Sequence, residues 1–244
     1  MKLFDLDSPL MQALGKMADL MWLNILTFIC CIPIITIGPA LTAMHYMALK
    51  MARNEECYIT RGYFKSFKQN FRQATLIWLI LLFVILVIIG DFYIMRSSGI
   101  SFHIVLQVVI TVVAVLVLFT GMFVFPVLAK FDNTIWRTFK NAFLMSIMQF
   151  PKTILMIILS VLPVVLFFVS MRLTPIVFLF GMSVPAWLSA KLYNKFFKRL
   201  EDQISGAAAG EEGEGTSGEE PEEDERIFKD ELDESLVEDA TRNG

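Results

Sequence analysis

The residues of this chain that could do chemistry are few, and they lie within or beside long apolar runs. Asn24, Asp91, His103, Gln107 and Gln149 are the polar side chains embedded there, and an ionisable group in hydrocarbon is a functional hypothesis by default. Asp91 falls within a turn of an expected outer loop, and His103 begins the next run on the same side, so an interfacial Asp91–His103 pair is one candidate. The other histidine, His45, falls near the opposite end of its run, so the two cannot share a metal. Asn24 lies deeper and suits a hydrogen bond between helices. Cys30, Cys31 and Cys57 have neither disulfide-framework nor metal spacing and read as reduced, structural thiols. The chain has no G-x-S-x-G, H-E-x-x-H, Walker A lysine loop or dinucleotide fingerprint. No run holds a carboxylate pair, and no arginine-rich helix suggests a voltage sensor. The expectation is a protein that is not an enzyme and carries no metal and no cofactor.

The elements that hold these residues follow from composition. Of 244 residues, 56% are apolar and 18% charged, against about 45–50% and about 25% in soluble domains. The net charge of −3 is the sum of unlike halves. Residues 1–200 hold 18 Lys/Arg and 7 Asp/Glu, whereas residues 201–244 hold 3 and 17. An ordinary soluble enzyme does not look like this. The positive charges are spread between apolar runs and not gathered on one face, so nucleic acid is not an expected partner. Between residues 73 and 130 the only charges are Asp91 and Arg96, and between 140 and 191 they are Lys152 and Arg172. A spanning helix needs about 20 mostly apolar residues. Spans are expected near 74–95, 102–128, 148–170 and 173–193, and the lipid bilayer is the first expected partner.

The apolar stretch from about residue 20 to 49 would be about 45 Å long as one helix, more than the roughly 30 Å hydrocarbon core. Pro33 and the Gly38-Pro39 pair must bend or break it. The favoured reading is one kinked span over 18–49. The alternative is two short helices, with Thr36 as the second helix's N-cap and Pro39 in its first turn. Lys/Arg counts around the spans run six (50–73), one (96–101), four (130–152), one (near 172) and four (191–199). By the positive-inside rule this alternation predicts five spans, a cytoplasmic C-terminus and an outside N-terminus in a cell membrane. Six spans would move only the N-terminus, to the inside. The fold class is therefore all-α, a polytopic helical bundle whose first span is kinked or broken.

Two internal recurrences stand out. Phe67-Lys68-Gln69-Asn70-Phe71 matches Phe139-Lys140-Asn141-Ala142-Phe143 at an offset of 72 residues, and Phe64 aligns with Trp136. Aromatic rings at three- to four-residue spacing with lysines between them suit short helices lying in the headgroup region. In addition, each expected span that runs from outside to inside carries a Gly/Pro pair, Gly38-Pro39, Gly121 with Pro126, and Gly181 with Pro185. Such pairs allow close helix packing or a kink, and three of them could line a cavity. Residues 201–244 hold too few apolar groups to offset the entropy of ordering, so a disordered cytoplasmic tail is expected. Ile227, Phe228, Leu232, Leu236 and Val237 would share one face of a short helix near 225–240.

The pattern Asn24, then Pro33-Ile34-Ile35-Thr36-Ile37-Gly38-Pro39-Ala40, then Phe64, Phe67, Asn70-Phe71 and Gln73-Ala74-Thr75, resembles the YesL family. These are small integral membrane proteins, mostly of Gram-positive bacteria, defined by a domain of unknown function. The likeness covers roughly residues 4–200 and supplies no catalytic residues. It implies a link to carbohydrate uptake or sensing, because family genes neighbour sugar-uptake transporters and sensor–regulator pairs. The functional expectation is an accessory or regulatory component whose partners are sugar-transporter or sensor-kinase subunits. A small solute transporter or channel, working as a homo-oligomer, is the alternative, and a purely structural scaffold is a third reading. Asn24, Thr36, Gly38, Pro39, Phe67, Asn70, Phe71, Asp91 and His103 are the candidate functional or packing residues.

Overall fold

A computed structural model of the chain describes residues 9–55, 58–97 and 104–211. Among the described residues there are eight α-helices and no strand: α1 (Pro9–Cys31), α2 (Ile37–Arg53), α3 (Ile59–Ser97), α4 (Ile104–Lys130), α5 (Ile135–Met148), α6 (Phe150–Val169), α7 (Thr174–Phe180) and α8 (Ser183–Glu211). Single 3₁₀ turns, Ile34–Thr36 and Met171–Leu173, join α1 to α2 and α6 to α7. Four helices are long and apolar enough to cross a membrane, namely Leu10–Cys31, α3, α4 and α6. A fifth span results if Met171–Phe180 and Ser183–Gln203, bent by 53° at their junction, cross as one. Apart from Gln107 and Thr111, the first half of α4 is apolar, and it is mostly exposed. Apolar surface on that scale needs a non-aqueous cover, and helices satisfy their own backbone groups within one.

The first apolar stretch is broken, which corrects the reading of a single kinked span. Proline 33 lacks an N–H and disfavours helical geometry in the residue before it. Helix α1 ends at Cys31, and the chain turns back. Lys16 Nζ donates to Asn54 Oδ1 at 2.7 Å, and Trp22 Nε1 donates to Thr60 Oγ1 at 2.8 Å. The start of α1 therefore sits beside the end of α2. A continuous helix would separate residues 16 and 54 by about 57 Å at 1.5 Å per residue. The outside N-terminus was expected because a single span would carry the chain across; a hairpin removes that ground.

Helix α2 is the centre of the bundle and packs against α1, α3, α4 and α8. Its small residues Gly38, Ala40, Thr42, Ala43 and Ala48 are buried, and small side chains are what allow helix axes to approach in an apolar medium. It ends at Asn54, in the left-handed region at φ 57°, with Glu55 N–H donating to Lys50 O at 3.1 Å. That closure satisfies late carbonyls and reverses the chain into α3.

Helix α3 has 39 residues, or about 58 Å. Its buried stripe, Ile59, Tyr63, Ser66, Asn70, Ala74, Ile77 and Leu81, recurs every three or four residues. Beyond Leu81 its side chains are half-exposed or exposed. Residues 64–71, expected as a separate interfacial helix, are the early turns of this continuous helix. Their counterparts 136–143 do lie in a short separate helix, α5. The offset of 72 holds in exposure as well: Phe64 and Trp136 are exposed, Phe67 and Phe139 half-buried, Phe71 and Phe143 exposed, and Ser66, Asn70 and Ala74 are buried like Thr138, Ala142 and Ser146.

The Gly181 kink is present as the bend between α7 and α8, while α4 runs unbroken through Pro126. Helix α8 continues to Glu211, past position 200 where the sequence places the start of the tail. Alanines at 207–209 favour helix, and Glu201 is anchored: Arg53 Nη2 lies 2.6 Å and Lys130 Nζ 3.4 Å from its carboxylate. The expected tail helix near 225–240 lies outside the described residues.

Candidate functional site

Each break in an apolar helix leaves carbonyls and N–H groups without helical partners, and away from water they must be satisfied by protein. One polar side chain does this at each of three breaks. Asn24, fully buried on α1, bridges the bend between α7 and α8. Its Nδ2 donates to Phe178 O at 2.7 Å, and its Oδ1 accepts from the N–H groups of Met182 and Ser183, both at 2.9 Å. One amide thus serves the last turn of α7 and the first N–H groups of α8. The expected inter-helix bond of Asn24 is this clamp.

At the α1–α2 break Thr36 works in the reverse sense from the N-cap expected of it. Its hydroxyl donates backward to Cys30 O at 2.7 Å and Pro33 O at 2.8 Å and makes no cap bond to α2. Its helix-like φ of −90° and ψ of 0° lack the extended geometry that aims a capping oxygen at the following N–H groups. Pro39 does lie in the first turn of α2, buried. At the α5–α6 break, Gln149 sits at the junction and Thr153 donates to Ser146 O at 2.8 Å and to Gln149 O at 3.1 Å. The sequence offers Thr153 no distinction from any other threonine in an apolar run.

Gly38 is required by packing. A Cβ there would lie 2.3 Å from Ala74 O and 2.7 Å from Trp78 Cβ. This close approach lets Trp78 Nε1 donate to Ile34 O at 2.8 Å, so α3 also holds the turn before α2. Asn70, 1% exposed, donates to Ser66 O at 3.0 Å on the α2-facing stripe. Phe67 stacks on Tyr63 and contacts Phe71, with ring centroids 6.3 and 5.6 Å apart. Gln73 Nε2 donates to Asn133 O, tying this segment to the connection before α5.

One complete Gly/Pro pair, Gly181 with Pro185, and the glycine of another, Gly121, surround a cavity of about 480 Å³ with a proline of α6. Gly121, Gly181, Pro185 and Pro163 line it, together with His45. Gly38 and Pro39 do not line it and serve the α2–α3 contact. The lining is mainly apolar, with Ser160, Ser189 and His45 as its polar side chains. His45 is the residue that sequence reading passed over, since one histidine near the end of a run carries no motif. Asp91 is half-buried late in α3, beside a shallow apolar hollow formed with Val109 and Val113 of α4. His103, and with it the expected pair, lies outside the described residues, as does Cys57. Cys30 and Cys31 are free and half-buried. Among the described residues no cluster of His, Cys, Asp or Glu could hold a metal.

Residues 20–92 match a family model described as a protein of unknown function, DUF624. The matched segment runs from the middle of α1 through α2 to the last turns of α3, and so contains the Asn24 clamp, the Thr36 break and the Gly38 contact. No curated protein and no solved structure matches the chain.

Proposed function

We propose that this is a YesL-type, multi-pass protein of the bacterial cell membrane that acts as an accessory or regulatory component of carbohydrate uptake or sensing. The observation that carries this reading is the aromatic-basic surface exposed on the early turns of α3 and on α5, two segments that Gln73 ties together through Asn133 O. Phe64, Phe71, Trp136 and Phe143 are exposed there, Trp136 by 78%, with Lys68, Arg72 and Lys140 between them. Rings and cations interleaved on rigid helices suit a transporter or sensor subunit as partner. Asn24, Thr36 and Thr153 serve helix breaks, and a sugar needs a hydrogen-bond partner for each hydroxyl it loses to water. By the positive-inside rule this face is cytoplasmic, and the α1–α2 hairpin brings the start of α1 to the same side.

Affinity purification in a mild detergent tests the reading. A sugar-transporter or sensor subunit should co-purify with the native chain and be lost from a Phe71→Ala/Trp136→Ala variant of equal abundance. Recovery of no such subunit, together with unimpaired growth of a deletion strain on every sugar, would overturn it. The broken α7–α8 helix beside a cavity favours a second reading, a small transporter working as a homo-oligomer. Flux of a labelled solute into proteoliposomes would establish that one instead.

A further inference from the structure

The cavity is apolar apart from His45, Ser160 and Ser189. Phe28, Phe167 and Val177 line one part of it. His45 and Ser189 are the last lining residues of α2 and α8 before those helices reach the Arg53–Glu201 pair. The Nδ1 atom of His45 is buried and has no hydrogen-bond partner. A buried polar atom in that state is costly, and a turn of the imidazole that brings it to the cavity lets a ligand group recover the cost. The outer wall is α6, where Val164 and Phe167 line the cavity and are also about half exposed. The cavity therefore communicates with the apolar surface of the bundle, and about 480 Å³ is within the range of ligand pockets.

We propose that this cavity binds one long-chain fatty acid, with its alkyl chain among Phe28, Phe167 and Val177 and its carboxyl group hydrogen-bonded to His45. An alkyl chain matches an apolar lining reached through an apolar face. A single polar end matches a lining whose polar side chains are one imidazole and two serines, where a sugar would bring a hydroxyl on nearly every carbon. Gly121 keeps the space open: a Cβ there would meet nothing within 4 Å, so a side chain at this position starts into the cavity and not into a neighbouring helix. The proposal does not depend on the uptake partner proposed above.

The test uses the full chain in maltoside detergent, palmitic acid bearing a photoreactive diazirine in its tail, and peptide mapping of the label. Expected is saturable labelling of cavity residues such as Met122 and Met182, competed by plain palmitic acid and much less by its methyl ester. Gly121→Phe should reduce the label about tenfold, equivalent to about 1.4 kcal/mol, with unchanged elution and thermal midpoint. Ala186→Leu provides a second way to fill the cavity if Gly121→Phe misfolds, and His45→Phe should abolish the preference for acid over ester. Label spread over the exposed flanks of α3 and α4 and insensitive to both filling substitutions would overturn the proposal in favour of surface lipid. Equal competition by acid and ester would overturn the carboxyl assignment.

Discussion

A single amide holds the α7–α8 bend, so the consequence of losing it can be stated. Asn24→Leu removes three hydrogen bonds and leaves Phe178 O and the N–H groups of Met182 and Ser183 without their partner. At about 0.6 kcal/mol per bond between membrane helices, the loss is about 2 kcal/mol. Asn24→Asp keeps the acceptor and loses the donor, so its thermal midpoint in detergent should fall between those of the native chain and the Asn24→Leu variant. Two glycines make a sharper comparison. At Gly38 a Cβ would collide with the α3 backbone, whereas at Gly121 it would enter open space. Gly38→Ala should cost about 1–3 kcal/mol, as overpacking does, and Gly121→Ala should leave the unfolding midpoint nearly unchanged. Both glycines are visible in the sequence, one next to a proline and one two residues from an aromatic, but which one touches a neighbouring backbone depends on the distance between helices.

At the scale of elements, α2, α4 and α8 meet at one carboxylate. Arg53 and Glu201 are 8% and 13% exposed, Lys130 is 12% exposed, and Arg53 also donates to Asn194 Oδ1 at 2.8 Å. Removing the carboxylate leaves two cations facing each other in a partly dry site, whereas removing Lys130 leaves a compensated pair. Glu201→Gln should therefore destabilise more than Lys130→Met, by up to about 3 kcal/mol. A double-mutant cycle between Arg53 and Glu201, read by thermal unfolding, should return a favourable coupling. The sequence shows Arg53 and Lys130 as loop cations that orient the chain, and Glu201 as the first acid of a tail. Their assembly was not legible there, because positions 53, 130 and 201 are brought together only when three helices align. The repeat at offset 72 was legible as aromatic spacing, and its continuation through the buried faces of α3 and α5 explains why that spacing recurs. What differs is the exit: α3 runs on, while the chain breaks at Gln149 between α5 and α6.

For the whole molecule, orientation is the property most open to measurement. With native cysteines replaced, Thr60→Cys and Lys195→Cys should react with a membrane-impermeant maleimide only after cells are opened. Ser98→Cys and Arg172→Cys should react in intact cells, and Gln12→Cys should behave like position 60 because of the α1–α2 hairpin. Labelling of position 12 from outside would restore the single-span arrangement. Run lengths and Lys/Arg counts were enough for an all-helical bundle and for the positions of its long apolar helices, since crossing a membrane is a demand on local composition and length. Proline 33 and the Gly38-Pro39 pair announced an interruption. Whether the chain then continued onward or turned back was decided by contacts across 38 residues, from Lys16 to Asn54 and from Trp22 to Thr60. The sequence by itself determined which segments are apolar, where they must bend and which loops carry the positive charge. Only the tertiary structure decided that the short α2 is the core, that Asn24 bridges a break more than 150 residues away, and that His45 faces a cavity. These depend on which helix lies beside which, and apolar side chains that are alike on every face do not encode that choice in their order.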